Sequence, residues 1–221
     1  MTQAEDATEG KAVLGEGWLQ LPASTRDPND PIVAAFNRRK TTKETSPKPL
    51  SMRDLSDLLW SAYGVNRDMG PFGGPGRTAA SASNSQEIDL YVALEDGTYR
   101  YDGLGHRLEQ ITPSDVRAMA LTPAQPEVAV APVMLIYVVD IHRLTHTLGF
   151  DEPGLHDPDV QKSYYYVDTG LIAGNVYLFA AAHGLAAWFH NCDGPRLARH
   201  LGLNSRQRVL FAQSVGYLPV G

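Results

Sequence analysis

The chain has 221 residues, 43% of them hydrophobic, which is enough for one domain with a continuous core and too few for two large ones. Its 25 acidic residues against 19 basic give a net charge of −6, which argues against the basic footprint of a nucleic-acid binder. A single cysteine, Cys192, excludes an intramolecular disulfide framework and a Cys-rich metal site, and reads as a bystander thiol.

Residues 1–30 mix Gly, Pro, Asp and Thr without periodicity and read as an extended arm, with 31–221 as one domain. The opening MTQAEDATEGKAVLGEG lacks the apolar core of a secretory leader. No stretch reaches the roughly 18 apolar residues of a spanning helix; the nearest, Gly170 to Gly184, contains Asn175 and His183. The expected location is the cytoplasm, and no membrane partner is expected.

Pro31 to Phe36 predicts a short apolar helix that runs into a basic cluster, Arg38, Arg39, Lys40 and Lys43. After Ser46-Pro47-Lys48-Pro49, Ser51 and Asp54 have the spacing of a capping box. Leu55, Leu58, Leu59 and Ala62 make the apolar stripe of a helix that Gly64 ends. Gly70 to Gly76 holds four glycines and two prolines and reads as a mobile loop. Ile88–Leu94 and Thr98–Tyr101 read as strands joined around Asp96-Gly97. Thr112 with Asp115 predicts a capped short helix, and Val133 to Val139 a buried central strand. Tyr164 to Ala182 reads as a long helix stopped by Gly184. Asp193 with Pro195 opens a helix through Leu201, and Arg208 to Val215 is the last strand. Helices and strands interleave around a hairpin, which gives an α+β sandwich.

Two polar segments could bind a ligand. Arg38, Arg39, Lys40 and Lys43 beside the hydroxyls of Thr41 and Thr42 combine guanidinium, ammonium and hydroxyl donors, the set that holds a phosphate dianion. The same residues would also suit a solvated basic turn. Ser81, Ala82, Ser83, Asn84 and Gln86 run directly into a core strand. Their small side chains let a backbone approach a planar ligand, and Asn84 offers a donor and an acceptor to a heterocycle edge; an ordinary loop is the alternative.

Four segments in order resemble the nitroreductase family. Arg39-Lys40-Thr41-Thr42-Lys43 is similar to its basic-x-Ser/Thr-x-basic motif, followed by the helix Leu55 to Gly64. RTAASASNSQEIDLYV, residues 77–92, resembles its Arg-Thr-x-Pro-Ser-x-x-Asn-x-Gln motif, with Ala80 in the place of Pro. Residues 168–188 resemble its interface helix, with Gly174 where Gln is common, and 209–217 its last strand. The hairpin Asp96 to Tyr101, with His106 after it, is similar to the branch of SagB-type azoline-forming peptide dehydrogenases.

The resemblance implies a three-layer sandwich with a mostly antiparallel central sheet flanked by helices, FMN as cofactor and a homodimer. It implies ping-pong hydride transfer between the flavin and a small organic substrate, with NAD(P)H as a candidate donor. FMN phosphate would sit on Arg39, Lys40, Thr41 and Lys43, with Arg38 beside them. The ribityl chain and pyrimidine edge would sit on Ser81, Ala82, Ser83 and Asn84, with Gln86 next in the motif; Asn191 is a further candidate after the strand that follows the interface helix. No catalytic acid or base is implied. Two other readings stay open: a flavin-binding protein with little turnover, and an interaction protein that keeps only the fold.

Other signals carry less. His142 and His146 are spaced for one helix face, but no third ligand of matching spacing follows, so no metal is assigned. Lys162 precedes Tyr164 by two residues and reads as a surface lysine beside a packed tyrosine cluster.

Overall fold

The computed structural model describes residues 14–15, 18–125, 131–148 and 156–219. Half of the expected arm, and the last two residues, lie outside the described residues. In chain order the elements begin with a two-strand pairing, β1 (Leu14–Gly15) with β2 (Trp18–Leu19), and two helices, α1 (Pro31–Arg38) and α2 (Met52–Tyr63). Strands β3 (Val65–Arg67) and β4 (Gly76–Arg77) pair with each other. Then come β5 (Ile88–Leu94), β6 (Gly97–Asp102), β7 (Arg107–Thr112), β8 (Val133–Asp140) and α3 (Ile141–Thr145). The chain closes with α4 (Pro158–His183), β9 (Leu185–His190), α5 (Gly194–His200) and β10 (Gln207–Tyr217).

The central sheet has six strands in the order β7-β6-β5-β8-β10-β9, and every neighbouring pair is antiparallel. Its middle strands are apolar on both sides because both sides are covered. Ile88, Leu90, Val92, Leu135, Tyr137 and Val139 pack under α2 and α4. Their alternates Tyr91, Ala93, Met134, Ile136 and Val138 pack on Leu197 of α5, with Val116 and Ala120 of the segment after β7. The two-residue side-chain period of a strand thus splits one run into two cores and makes three layers. The α+β sandwich is as expected.

The capping box of α2 takes in a third residue. Ser51 Oγ accepts from the Asp54 amide at 3.0 Å, but the Ser51 amide donates to Tyr217 Oη at 3.1 Å, and Tyr217 Oη donates to Asp54 at 2.6 Å. The end of β10 is thereby tied to the start of α2. At the other end of the long helix, Gly184 takes the left-handed conformation (φ 67°) in which glycine avoids the steric penalty of a Cβ.

Several boundaries differ from expectation. The hairpin turns on Glu95-Asp96, with Leu94 opposite Gly97, so Gly97 opens β6. β7 was not anticipated, because its RLEQIT sequence lacks the apolar alternation of a half-buried strand and its residues are exposed or half-buried. Thr112 ends β7 and its hydroxyl accepts from the Ser114 amide at 3.3 Å; the single turn that follows, Arg117–Ala120, has no side-chain cap. α4 starts six residues early, capped by Asp157 with Pro158 in its first turn. His190 belongs to β9, and β10 runs two residues longer than expected at its C-terminal end. The Gly70–Gly76 segment is not a bare loop: it contains a single turn at Pro71–Gly73, and Gly76 sits in β4.

Candidate functional site

The basic cluster owes its position to the end of α1. Asp30 caps the helix by accepting from the Ile32 amide at 2.8 Å, and the Arg39 amide closes it on Ala35 O at 2.9 Å. The chain then runs beside β9, where the Thr42 amide donates to Ala187 O at 2.9 Å. Arg38, Arg39, Lys40, Thr41 and Lys43 are all exposed. The Arg39 guanidinium lies 5.7 Å from the Tyr177 ring centre and the Lys43 ammonium 5.1 Å from that of Trp188. Thr41 Oγ1 is 3.2 Å from Tyr177 Oη. Among the described residues none of these four cations has an ion-pair partner, although seven other salt bridges form. Such a set is free to take an anion.

The second segment is built differently. Arg77 stacks 4.5 Å from the Tyr63 ring centre, and its guanidinium donates to Tyr63 O and to Gln86 Oε1. Beyond it, Ser83 (φ 48°), Asn84 (φ 54°) and Gln86 (φ 49°) are left-handed, as is Phe72 (φ 58°) in the loop opposite. These are four of the six non-glycine residues with positive φ among the described residues. Each costs on the order of 1–3 kcal/mol, so surrounding bonds must hold them, and such strain collects where a site is being shaped.

Those bonds come from the side chains expected to face a ligand. Asn84 Nδ2 donates to Pro71 O at 3.1 Å and Pro75 O at 3.2 Å. Gln86 Nε2 donates to Pro75 O at 2.7 Å and Asn84 Oδ1 at 2.9 Å, and the Gln86 amide to Ser81 Oγ at 3.1 Å. Asn84 and Gln86 therefore pin the Gly70–Gly76 loop across the turn. From below, the Ala82 amide donates to Asp168 Oδ2 at 3.0 Å, and Asn175 Nδ2 donates to Thr78 O at 3.2 Å. Ser83 is half-buried within the turn.

Sequence reasoning missed two residues under the turn, Glu87 and Asp168. Both are buried, and Asp168 is pushed up to about 7, first by burial and then by the charge of Glu87. The signal was an acid at each of two places, one before a core strand and one inside an apolar helix, where charge is costly; only the fold makes them neighbours.

Helix α4 also shows how the two segments relate. Asp168 and Asn175 hold the turn from one side of the helix, whereas Tyr177 meets Thr41 from the opposite side, since Asp168 and Tyr177 are about 180° apart around the axis. Between them runs a stripe of Val167, Gly170, Leu171, Gly174, Leu178 and Ala182. Val167 is 61% and Leu171 44% exposed, and a Cβ on Gly170 or Gly174 would meet nothing within 4 Å. Along the stripe, α1, α2 and α4 border an open groove of about 350 Å³ lined by Ile32, Trp60, Leu178 and Ala182. One copy of the chain thus keeps its two candidate segments on opposite flanks of an uncovered apolar surface.

Asn191 follows β9 with an exposed side chain, while its carbonyl lies 2.8 Å from Nδ1 of the buried His190. The His142 and His146 rings lie 3.9 Å apart between centres, tilted by 40°, and among the described residues no three His, Cys, Asp or Glu side chains converge as a metal site. Lys162 pairs with Asp159 at 2.8 Å on the surface. Among the described residues no helix is long and apolar enough to cross a membrane.

The sequence model of the nitroreductase family matches residues 37–217. A protein of Methanocaldococcus jannaschii that carries a nitroreductase name is 30% identical over 156 residues, 67% of this chain and 72% of its own length. A Ralstonia eutropha structure, also carrying a nitroreductase name, superposes with a TM-score of 0.76 at 32% identity, covering 96% of this chain and 95% of the other. A chain of the Escherichia coli microcin synthetase McbBCD complex with truncated pro-MccB17 bound superposes with a TM-score of 0.71 at 17% identity, covering 100% and 84%. That last likeness is one of fold.

Proposed function

The chain belongs to the nitroreductase family, whose members are flavin-dependent oxidoreductases, and from that premise we propose that it is an FMN enzyme moving hydride between the flavin and a small organic substrate. The observation that carries the reading is the set Arg38, Arg39, Lys40 and Lys43, exposed beside the Thr41 hydroxyl and without carboxylate partners among the described residues. Its donors fit a phosphate monoester. Bound FMN supplies reversible two-electron chemistry, and no side-chain nucleophile is needed.

The residues of the chain then bind and orient. Arg39 and Lys43 would hold the phosphate, with the Arg39 guanidinium beside the Tyr177 ring and the Lys43 ammonium beside that of Trp188. The strained turn at Ser81, Ala82, Ser83 and Asn84 presents small side chains to a flat ligand, with Gln86 fixing its shape. Asn191 lies outside both groups and is proposed only as a backbone contact. NAD(P)H is the proposed donor, and the SagB-type branch is supported by the hairpin sequence and by the fold of the microcin synthetase chain.

The proposal includes a homodimer, because the two segments flank the α4 stripe. A twofold axis through Gly170 and Gly174 brings the basic cluster of one copy toward the turn of the other. Two interior glycines cost a helix about 1 kcal/mol each against alanine, and close approach of a second backbone gives them a purpose. The test is the absorbance of the purified chain together with its mass in solution. A yellow dimer with one FMN per chain, bleached by NAD(P)H and recoloured by a quinone or nitroarene, is expected. A chain that stays colourless in excess FMN would rule the reading out, and a yellow one that never turns over would leave a flavin-binding protein.

A further inference from the structure

Glu87 is fully buried and Asp168 is 4% exposed, and they lie close enough beneath the Ser81–Gln86 turn for the charge of Glu87 to bear on Asp168. Each accepts from one donor of the turn: Ser85 Oγ to Glu87 Oε2 at 2.6 Å, and the Ala82 amide to Asp168 Oδ2 at 3.0 Å. Among the described residues no cation forms an ion pair with either carboxylate. Arg143, from α3, donates to the main-chain oxygen of Glu87 and pairs with Asp89 of β5 at 2.9 Å. Arg77, from β4, donates to Tyr63 O and Gln86. The remaining neighbour, Tyr63 of α2, keeps its phenol proton, since burial raises its pKa far above neutrality. Glu87 Oε1 is buried with no hydrogen-bond partner among the described residues. Two adjacent buried carboxylates without a cation do not both ionise, and a proton between them supplies the missing donor to Oε1.

We infer that Glu87 and Asp168 share one proton and act as a positioning pair that locks the turn over them in its strained shape, so that loss of the proton frees the turn. Their donors come from Ser85 and Ala82, which belong to the turn or adjoin it, so a second negative charge acts directly on the segment holding three left-handed residues. Burial first, and then the charge of Glu87, push Asp168 up to about 7, so the lock is expected to hold below neutrality and to fail above it. Which ligand the locked turn serves rests on the flavin reading; the lock itself does not.

The test uses flavin-free protein. The protection of the amides of residues 81–86 against hydrogen exchange, corrected for intrinsic rates, is expected to fall about tenfold between roughly pH 6 and pH 8 in the wild type. In Asp168→Asn it should stay at its acid value, because the amide donates permanently to Glu87 Oε1 while its carbonyl accepts from Ala82. Infrared spectra should show a protonated carboxyl stretch at pH 6 in the wild type that both Asp168→Asn and Glu87→Gln lack; if the first variant does not fold, the second carries both measurements. Absence of that band in the wild type, or the same pH profile in wild type and variant, would overturn the inference. With FMN added, affinity should follow the same pH profile. A chain that binds no FMN at either pH refutes the flavin reading, and amide exchange still decides the lock.

Discussion

The cations of residues 38–43 stand in solvent with aromatic rings as neighbours, whereas the polar groups of the Ser81–Gln86 turn are spent on their own loop and on two buried acids. The first region is charge waiting for a partner; truncating it removes little from the free chain and much from a bound anion. The second is backbone shape held by side chains; truncating it weakens the free chain before any ligand arrives. Two segments that look alike as polar loops in the sequence thus do opposite kinds of work, and variants can separate them.

The largest expected effect tests the proposed dimer that would join them. Leu171→Arg places a charge in the α4 stripe, where it is solvated in one copy but buried and unpaired in a dimer, a cost of several kcal/mol. We expect dimer dissociation to rise more than about a hundredfold in sedimentation, with FMN lost along with the dimer and the melting of the free chain nearly unchanged. A variant that stays dimeric at micromolar concentration would mean that the copies meet elsewhere.

Next is the charge itself. Arg39→Ala should weaken FMN by about 1.5–3 kcal/mol, the range for a hydrogen bond to a charged group, read as a ten- to hundredfold rise in dissociation constant by fluorescence quenching. Riboflavin, lacking the phosphate, should respond little. Stability of the free chain should move by less than about 0.5 kcal/mol, as at exposed sites without partners. Equal losses for both ligands would make the cluster structural.

Asn84→Ala carries the opposite expectation. Its amide bridges two loop carbonyls, so its loss should cost the free chain about 1–2 kcal/mol, or a few degrees in melting temperature. Calorimetry of flavin-free protein checks this, and an unchanged midpoint would return Asn84 to the role of a ligand contact alone.

What the sequence disclosed follows the range of the interactions. The α2 cap, the apolar run of β8 and the stop at Gly184 are local patterns, and each stands where periodicity and capping chemistry put it. β7 escaped because its exposed face and polar residues gave no period-two signal, and the start of α4 because Asp157-Pro158 reads equally as a turn. At the site, residue type alone suggests Arg39 and Lys43 as a phosphate set, and both stand exposed. It could not reveal that Asn84 faces Pro71 and Pro75, or that Glu87 and Asp168 meet, because those partners are set by tertiary packing.

The smallest expected effect concerns Tyr217, the residue that closes β10 onto α2. Tyr217→Phe keeps the ring, including its contact with the Lys48 ammonium at 4.9 Å, and removes only the hydroxyl that accepts from the Ser51 amide and donates to Asp54. Hydrogen bonds from Tyr217 first, and from Ser51, hold the Asp54 carboxyl below the usual carboxylate range. A carboxylate whose pKa is lowered in the folded chain adds stability above its unfolded pKa and loses it as pH falls through the folded value. The melting difference between wild type and Tyr217→Phe should therefore be open at neutral pH, smaller than that of Asn84→Ala, and should close only as the pH falls below the ordinary carboxylate range and through the lowered folded value of Asp54, where the carboxyl is protonated with or without its partner. A difference that persists unchanged in acid would place the role of the hydroxyl in its bond with the Ser51 amide, independent of the Asp54 charge.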